Sequence, residues 1–147
     1  MSKLIPPEAH DILRDLPTGH VATVRPDGRL SVNPVALLFE DGLVRFSTTK
    51  DRAKYRNLLA DPRVAICVPH RNNPNRYVEL RGHVEIEDDT DRAFIDRVAR
   101  HYISEDHYPF DHPQAERVTV TIVAEQVSMR AIPLSDNPPG APDSARA

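Results

Sequence analysis

The sequence has no tryptophan, a single cysteine and few aromatic residues (5%). It has no excess of positive charge either: 19 basic residues against 22 acidic ones leave a net charge of -3 and a pI near 6.1. That balance excludes a protein that coats nucleic acid or an anionic membrane over its general surface, so any basic site must be local. The lone cysteine, Cys67, excludes an intrachain disulfide, and its place in the apolar run "VAICV" predicts an inert core residue. No window approaches the roughly 18 apolar residues of a membrane span. The opening "MSKLIPPEAHDILRDLP" has no apolar run of signal-peptide length, so a soluble, cytoplasmic protein is expected. Catalytic signatures are missing as well. No Ser-His-Asp order, nucleophile elbow or paired carboxylates stand out, so in an enzyme a cofactor would carry the hard chemistry.

What is present is a β-rich pattern on a chain of 147 residues, enough for one domain with a modest core. Pro6 and Pro7 open a short helix at about 7–15, since proline at a first helical turn sacrifices no hydrogen bond. Apolar runs at about 20–25, 29–39 and 43–48 are separated by "PDG" and "EDG", which predicts a three-stranded antiparallel meander. A helix over 51–60, facing inward with Tyr55, Leu58 and Leu59, ends at Asp61-Pro62. "VAICVPH" and "RYVELRGHVEIE" read as strands, the second alternating Val78, Leu80, Gly82 and Val84 against Tyr77, Glu79, Arg81 and His83. "DDTDRAFIDRVARHYI" is an amphipathic helix with a stripe of Phe94, Ile95, Val98, Ala99 and Tyr102. A polar loop, 104–116, leads to one last strand or pair of strands in "RVTVTIVAEQVSMRAI". The sum is mainly β: six or seven antiparallel strands with short peripheral helices, best accommodated in a small β-barrel over 1–132. The Pro-rich segment 133–147 is expected to form an irregular tail.

One segment conflicts with ordinary helix electrostatics. "TTKDRAKYRNL" places Lys50, Arg52, Lys54 and Arg56 at a helix start, where unpaired N–H groups already carry partial positive charge. Only Asp51 suits the position, as an N-cap. Lys50 with Lys54 and Arg52 with Arg56 are like-charged i,i+4 pairs, each mildly destabilising. A bound phosphate would reverse that penalty, shared among the helix amides, the cations and the hydroxyls of Ser47, Thr48 and Thr49. A solvated basic helix face is the plainer reading of the same residues.

Four pieces in order, "GHVATVRPDGRLSVNPV", "LVRFSTTKDRAKYRNLLADPRVAICV", "YVELRGHVEI" and "RVTVTIVAEQVS", resemble the split β-barrel flavin and deazaflavin oxidoreductases related to pyridoxamine 5'-phosphate oxidase. Within them the chain looks most like the actinobacterial branch that uses the deazaflavin coenzyme F420. The resemblance covers about residues 8–132, and "R-A-K-x-R-N-L" is its most specific part. It implies the FMN-binding split-barrel fold, with Lys50 to Asn57 holding the cofactor phosphate and Arg52 and Lys54 as main basic ligands. It also places Asn33, Pro34 and Val35 along the cofactor ring, with Ser47, Thr48 and Thr49 opposite. It further implies a homodimer with interface sites, to which Arg76 and Tyr77 contribute from the second subunit.

Asn33-Pro34 within a strand predicts an edge position or a bulge, because proline cannot donate to a ladder. His101, His107 and His112, with Asp106 and Asp111, lack metal-ligand spacing and read as a solvated loop or a pocket mouth. His20 and His83 read as polar-face residues of strands. The oxidase proper ends in a basic, tryptophan-bearing segment; this chain has none, and Arg52-Ala53-Lys54 leans towards F420, with FMN as the alternative. The resemblance thus implies hydride transfer between the reduced deazaflavin and an unsaturated small molecule, with Tyr77 or a group in 101–112 as a candidate acid. A non-catalytic flavin- or tetrapyrrole-binding module is the rival of another class.

Overall fold

A computed structural model describes residues 2–130; the expected tail at 133–147 lies outside them. The order is a 3-10 turn Pro7–Ala9, α1 His10–Arg14, β1 Thr18–Val24, β2 Leu30–Glu40, β3 Leu43–Thr49, α2 Ala53–Ala60, β4 Arg63–Pro69, β5 Tyr77–Asp88, α3 Ala93–Ile103 and β6 Arg117–Arg130. The strands close a barrel in the order β1-β2-β3-β6-β5-β4, with every ladder antiparallel. The β-rich pattern predicts six or seven antiparallel strands in a small barrel with short peripheral helices; the described residues form six, and the split-barrel form is the one the resemblance implies.

Both hairpin turns form as the Asp-Gly pairs require. Asp41 (φ 53) and Gly42 (φ 75) both take the left-handed region, the conformation of a tight two-residue hairpin turn. The last segment is one strand of 14 residues, and its pairing with β5 shifts register between Arg81 and Gly82. At that bulge the Val123 carbonyl oxygen would lie 2.0 Å from any Cβ on Gly82, so the two backbones approach only because the side chain is absent.

The interior is filled by alternate residues of every strand. Val21, Leu37, Phe46, Ile66, Leu80 and Ile122 are all at most 1% exposed. Leu58 of α2 plugs the barrel (2% exposed), Tyr55 packs against the same core, and Leu59 points to solvent at 61%. Leu59 is thus corrected from an inward to an outward residue: a helix of eight residues beneath one barrel end buries a single narrow stripe. Cys67 is also corrected. It alternates with buried Ile66 and Val68 and so lies half-buried on the outer face of β4, not in the core. Burial, then the nearby Glu79 charge, pushes its thiol pKa up, which keeps it unreactive.

A second apolar cluster lies outside the barrel, where Phe94, Ile95 and Val98 of α3 pack on Leu38 of β2. The Asp89 carboxylate caps α3 by accepting the Phe94 and Ile95 N–H groups at 3.1 and 2.9 Å. At the far end, the Tyr102 hydroxyl lies 2.6 Å from the Leu37 carbonyl and 2.8 Å from that of Pro17, and burial pushes its pKa up to about 12. α3 is therefore held at its start by Asp89, just past β5, and at its end by Tyr102 on β2.

Candidate functional site

The site arises where two strands part. β2 and β3 pair only from Leu37–Phe46 to Glu40–Leu43. Beyond that point Leu30 to Ala36 pair with β1 alone, while Ser47, Thr48 and Thr49 pair with β6. Pro34 sits in this one-sided stretch, so its missing N–H breaks no ladder with β3. The edge reading of Asn33-Pro34 is the one the fold realises.

The gap is a cavity of about 210 Å³ lined by Pro34, Val35 and Ala36 on one strand and Ser47, Thr48 and Thr49 on the other. Arg52 and Lys54 close it from the start of α2, Ile95 and Val98 from α3, and Tyr108 and Arg117 from the loop and strand beyond. Seven of the twelve residues expected at the cofactor site thus meet: Pro34, Val35, Ser47, Thr48, Thr49, Arg52 and Lys54. The sequence reading missed Ala36, Ile95, Val98, Tyr108 and Arg117. Arg117 comes to the site through the β3–β6 ladder, which sets it directly opposite Thr49 and which no local pattern announces.

Of the other five, Asn33, Lys50 and Asn57 do not line this cavity, and Arg76 and Tyr77, expected from a second subunit, lie outside it within one chain. Asn33 pairs with buried Val21 and so faces the barrel interior, where its Oδ1 is buried without a hydrogen-bond partner among the described residues. Lys50 turns away to Asp88 (3.0 Å) and Glu116 (3.4 Å), and the bond to Asp88 leads in raising its pKa. Asn57 is 5% exposed and donates to the Thr23 hydroxyl at 3.1 Å, tying α2 to β1. Arg76 grips both Asp11 oxygens at 2.6 and 2.7 Å and the Glu8 carbonyl at 2.7 Å, and Tyr77 lies opposite Pro69 and Arg130. Asp51 is not the N-cap. Arg52 holds that position without a side-chain cap, while the Asp51 carboxylate accepts the Thr49 hydroxyl proton.

Electrostatically the cavity is lopsided. Among the described residues, no hydrogen bond or ion pair engages the charged ends of Arg52 and Lys54, and no carboxylate lines the cavity. Burial, then the Arg52 charge, lowers the Lys54 pKa. Arg117 is different. Its side chain is 9% exposed, held bidentate by Asp111 at 2.8 Å on each arm, and it donates to the Ser47 hydroxyl at 3.3 Å. Its guanidinium also lies 4.8 Å from the centre of the Tyr108 ring. The cavity therefore pairs a cationic, hydroxyl-rich end with an apolar wall of Val35, Ala36, Ile95 and Val98.

That chemistry fits a group with a phosphate at one end and a flat apolar body at the other. Among the described residues, no three His, Cys, Asp or Glu side chains are grouped to hold a metal, and no helix is long and apolar enough to cross a membrane.

The sequence model of the pyridoxamine 5'-phosphate oxidase family matches residues 5–131. The chain belongs to that family. Among solved structures it is similar to an F420 reductase at 36% identity, covering 84% of this chain and 98% of that one with a TM-score of 0.73. A conserved hypothetical protein of Mycobacterium tuberculosis is 24% identical over 88% of each chain (TM-score 0.65). A candidate pyridoxamine 5'-phosphate oxidase of Listeria innocua is 21% identical over 83% of this chain and 94% of that one (TM-score 0.63). These last two likenesses concern the fold. A comparison with curated protein sequences gave no match. Family and fold together place the chain among the split-barrel flavin and deazaflavin oxidoreductases.

Proposed function

We propose that the protein is an oxidoreductase that binds the deazaflavin F420 in the gap between β2 and β3 and passes a hydride between it and an unsaturated small molecule. The observation that carries this reading is the convergence of Arg52 and Lys54, both without an anionic partner among the described residues, on a cavity whose opposite wall is apolar. F420 is favoured over FMN by the likeness to an F420 reductase at 36% identity and by the Arg52-Ala53-Lys54 spacing. Arg52 and Lys54 would hold the phosphate, with the Ser47, Thr48 and Thr49 hydroxyls around it. Val35, Ala36, Ile95 and Val98 would exclude water from one face of the ring, and Arg117 would fix Ser47 and Tyr108 at its edge. Bound there, the coenzyme supplies two-electron hydride chemistry, and the protein supplies position and field.

A single chain offers about 210 Å³, less than the roughly 300 Å³ at which ligand pockets usually begin, so the site of one copy alone is incomplete. A second copy completes it. The lip of the gap carries Leu30 and Val32, 75% and 66% exposed, beside Pro34, and apolar side chains so placed suit burial against another chain. The protein would thus act as a cytoplasmic homodimer.

The test is a fluorescence titration with F420 and, separately, FMN, alongside light scattering for the mass in solution. Saturable F420 binding by a dimer, with weaker FMN binding, is expected. Preference for FMN would move the protein to the flavin branch. No binding of either by a protein that is folded would overturn the reading.

A further inference from the structure

Lysine is scarce in this chain. Of its 19 basic residues only Lys3, Lys50 and Lys54 are lysines, and the other basic residues are arginines, which cannot act as nucleophiles at neutral pH. Lys3 is exposed. Lys50 is clamped between Asp88 and Glu116, an arrangement that keeps its ammonium charged. Lys54 has neither fate. Among the described residues its ammonium has no carboxylate partner, and it lines the β2–β3 cavity beside Arg52. The other charged lining group is Arg117, whose carboxylate Asp111 is already shared with Arg92. Everything charged that borders Lys54 is therefore cationic. A half-buried lysine amine beside another cation is in the kind of setting that favours a nucleophilic amine.

We propose that Lys54 of the ligand-free protein is a carbonyl-reactive amine that condenses with small aldehydes carrying a phosphate. Arg52 and the Ser47, Thr48 and Thr49 hydroxyls hold the phosphate, and the cavity brings the aldehyde carbon to Nζ. The balance is simple. The ammonium gives a proton to solvent, and its lone pair forms the N–C bond. The carbinolamine then loses water to leave a C=N bond, with no change of oxidation state. The lowered pKa of Lys54 supports the first of these steps. A phosphate-bearing ligand without a carbonyl would compete for the same cations and hydroxyls, fill the cavity and block the reaction. The inference needs an anion-binding cavity around Lys54 but not that the anion be F420.

The test uses the full chain with glycolaldehyde phosphate, then borohydride to fix any imine as a secondary amine, and peptide mass spectrometry to locate it. Glycolaldehyde without the phosphate is the comparison. We expect Lys54 to be labelled about tenfold or more faster by the phosphorylated aldehyde, the factor one charge-assisted hydrogen bond can supply. Excess inorganic phosphate should slow that labelling, and Lys50 should remain unmodified. Lys54→Arg keeps the charge and removes the nucleophile, so it should abolish the fast phase while its melting temperature stays that of the parent. Equal labelling by both aldehydes, indifference to inorganic phosphate, or label spread over Lys3, Lys50 and the chain's α-amine would each overturn the proposal. So would no label at all. Because the reaction is read in the free protein, its failure is separate from any failure to bind F420.

Discussion

The Arg117 guanidinium and the Asp111 carboxylate face each other through two hydrogen bonds of 2.8 Å, with 9% and 11% of the two side chains exposed. Asp111 also accepts from Arg92 at 3.1 Å, so one carboxylate in the 104–116 loop holds an arginine at the start of α3 and another at the start of β6. Removing it would leave the Arg117 cation unpaired in a nearly dry place and take one partner from the more exposed Arg92. Asp111→Ala should therefore cost about 2–4 kcal/mol, near the figure for breaking a buried ion pair from one side, read by urea denaturation. A cost below about 0.5 kcal/mol would mean that the cluster is not what holds the loop.

The same pair sets a pH dependence. The bond from Arg117 leads in holding the Asp111 carboxyl below the ordinary carboxylate range, against the opposing pull of burial. With a depressed folded pKa, the stabilisation is fully present above the unfolded value of about 3.9 and is lost as pH falls through the lower folded value. Unfolding free energy should hold from neutral pH down to about 5 and then fall on further acidification. Asp111→Asn, less stable at neutral pH, should show a shallower acid limb. Parallel limbs in the two proteins would refute the assignment.

Replacing both Arg52 and Lys54 with alanine removes the two cations that face the cavity without partners among the described residues. Affinity for a phosphate-bearing cofactor should drop by about 2–4 kcal/mol, while the ligand-free protein keeps its stability or gains slightly as like charges are relieved. Titration and thermal melting of the same preparation check both halves. Unchanged affinity would remove the phosphate from this end of the cavity.

Leu58 and Leu59 are neighbours with opposite fates. Leu58→Ala, at a site 2% exposed, should cost about 2–5 kcal/mol; Leu59→Ala, at 61% exposure, should stay within about 0.5 kcal/mol. Similar costs in denaturant melts would contradict the orientation of α2.

The buried, partnerless Oδ1 of Asn33 should make that residue a net burden in the free protein. Asn33→Leu, close in size, should raise unfolding free energy by about 1 kcal/mol. A loss of stability instead would show that the oxygen has found a partner in solution.

Local signals in the sequence were enough for the elements. Asp41-Gly42 marks a hairpin because both positions need the left-handed region, and Phe94, Ile95, Val98 and Ala99 mark a buried stripe because their spacing matches one helix face. Lys54 and Arg52 were legible as an anomaly, since cations at a helix start need a reason. What escaped were partners fixed by distant register. Arg76 finds Asp11 65 residues away, Lys50 finds Asp88 and Glu116, and Arg117 reaches the cavity because β6 pairs with β3. No spacing along the chain encodes those meetings. Leu59 was misread for a related cause, because apolar character says that a helix has an inner face but not how wide the surface beneath it is.

The short β2–β3 ladder has a consequence in time as well as space. Where β5 and β6 pair from Tyr77 to Asp88, backbone amides are locked on a long ladder. Across the gap at 30–36 and 47–49, the amides that point towards the missing neighbour have no strand to donate to. They should trade their hydrogens for deuterium early, well before the barrel as a whole opens. A ligand seated in the gap would slow that exchange at the same few positions, so the backbone itself would record when the site is filled.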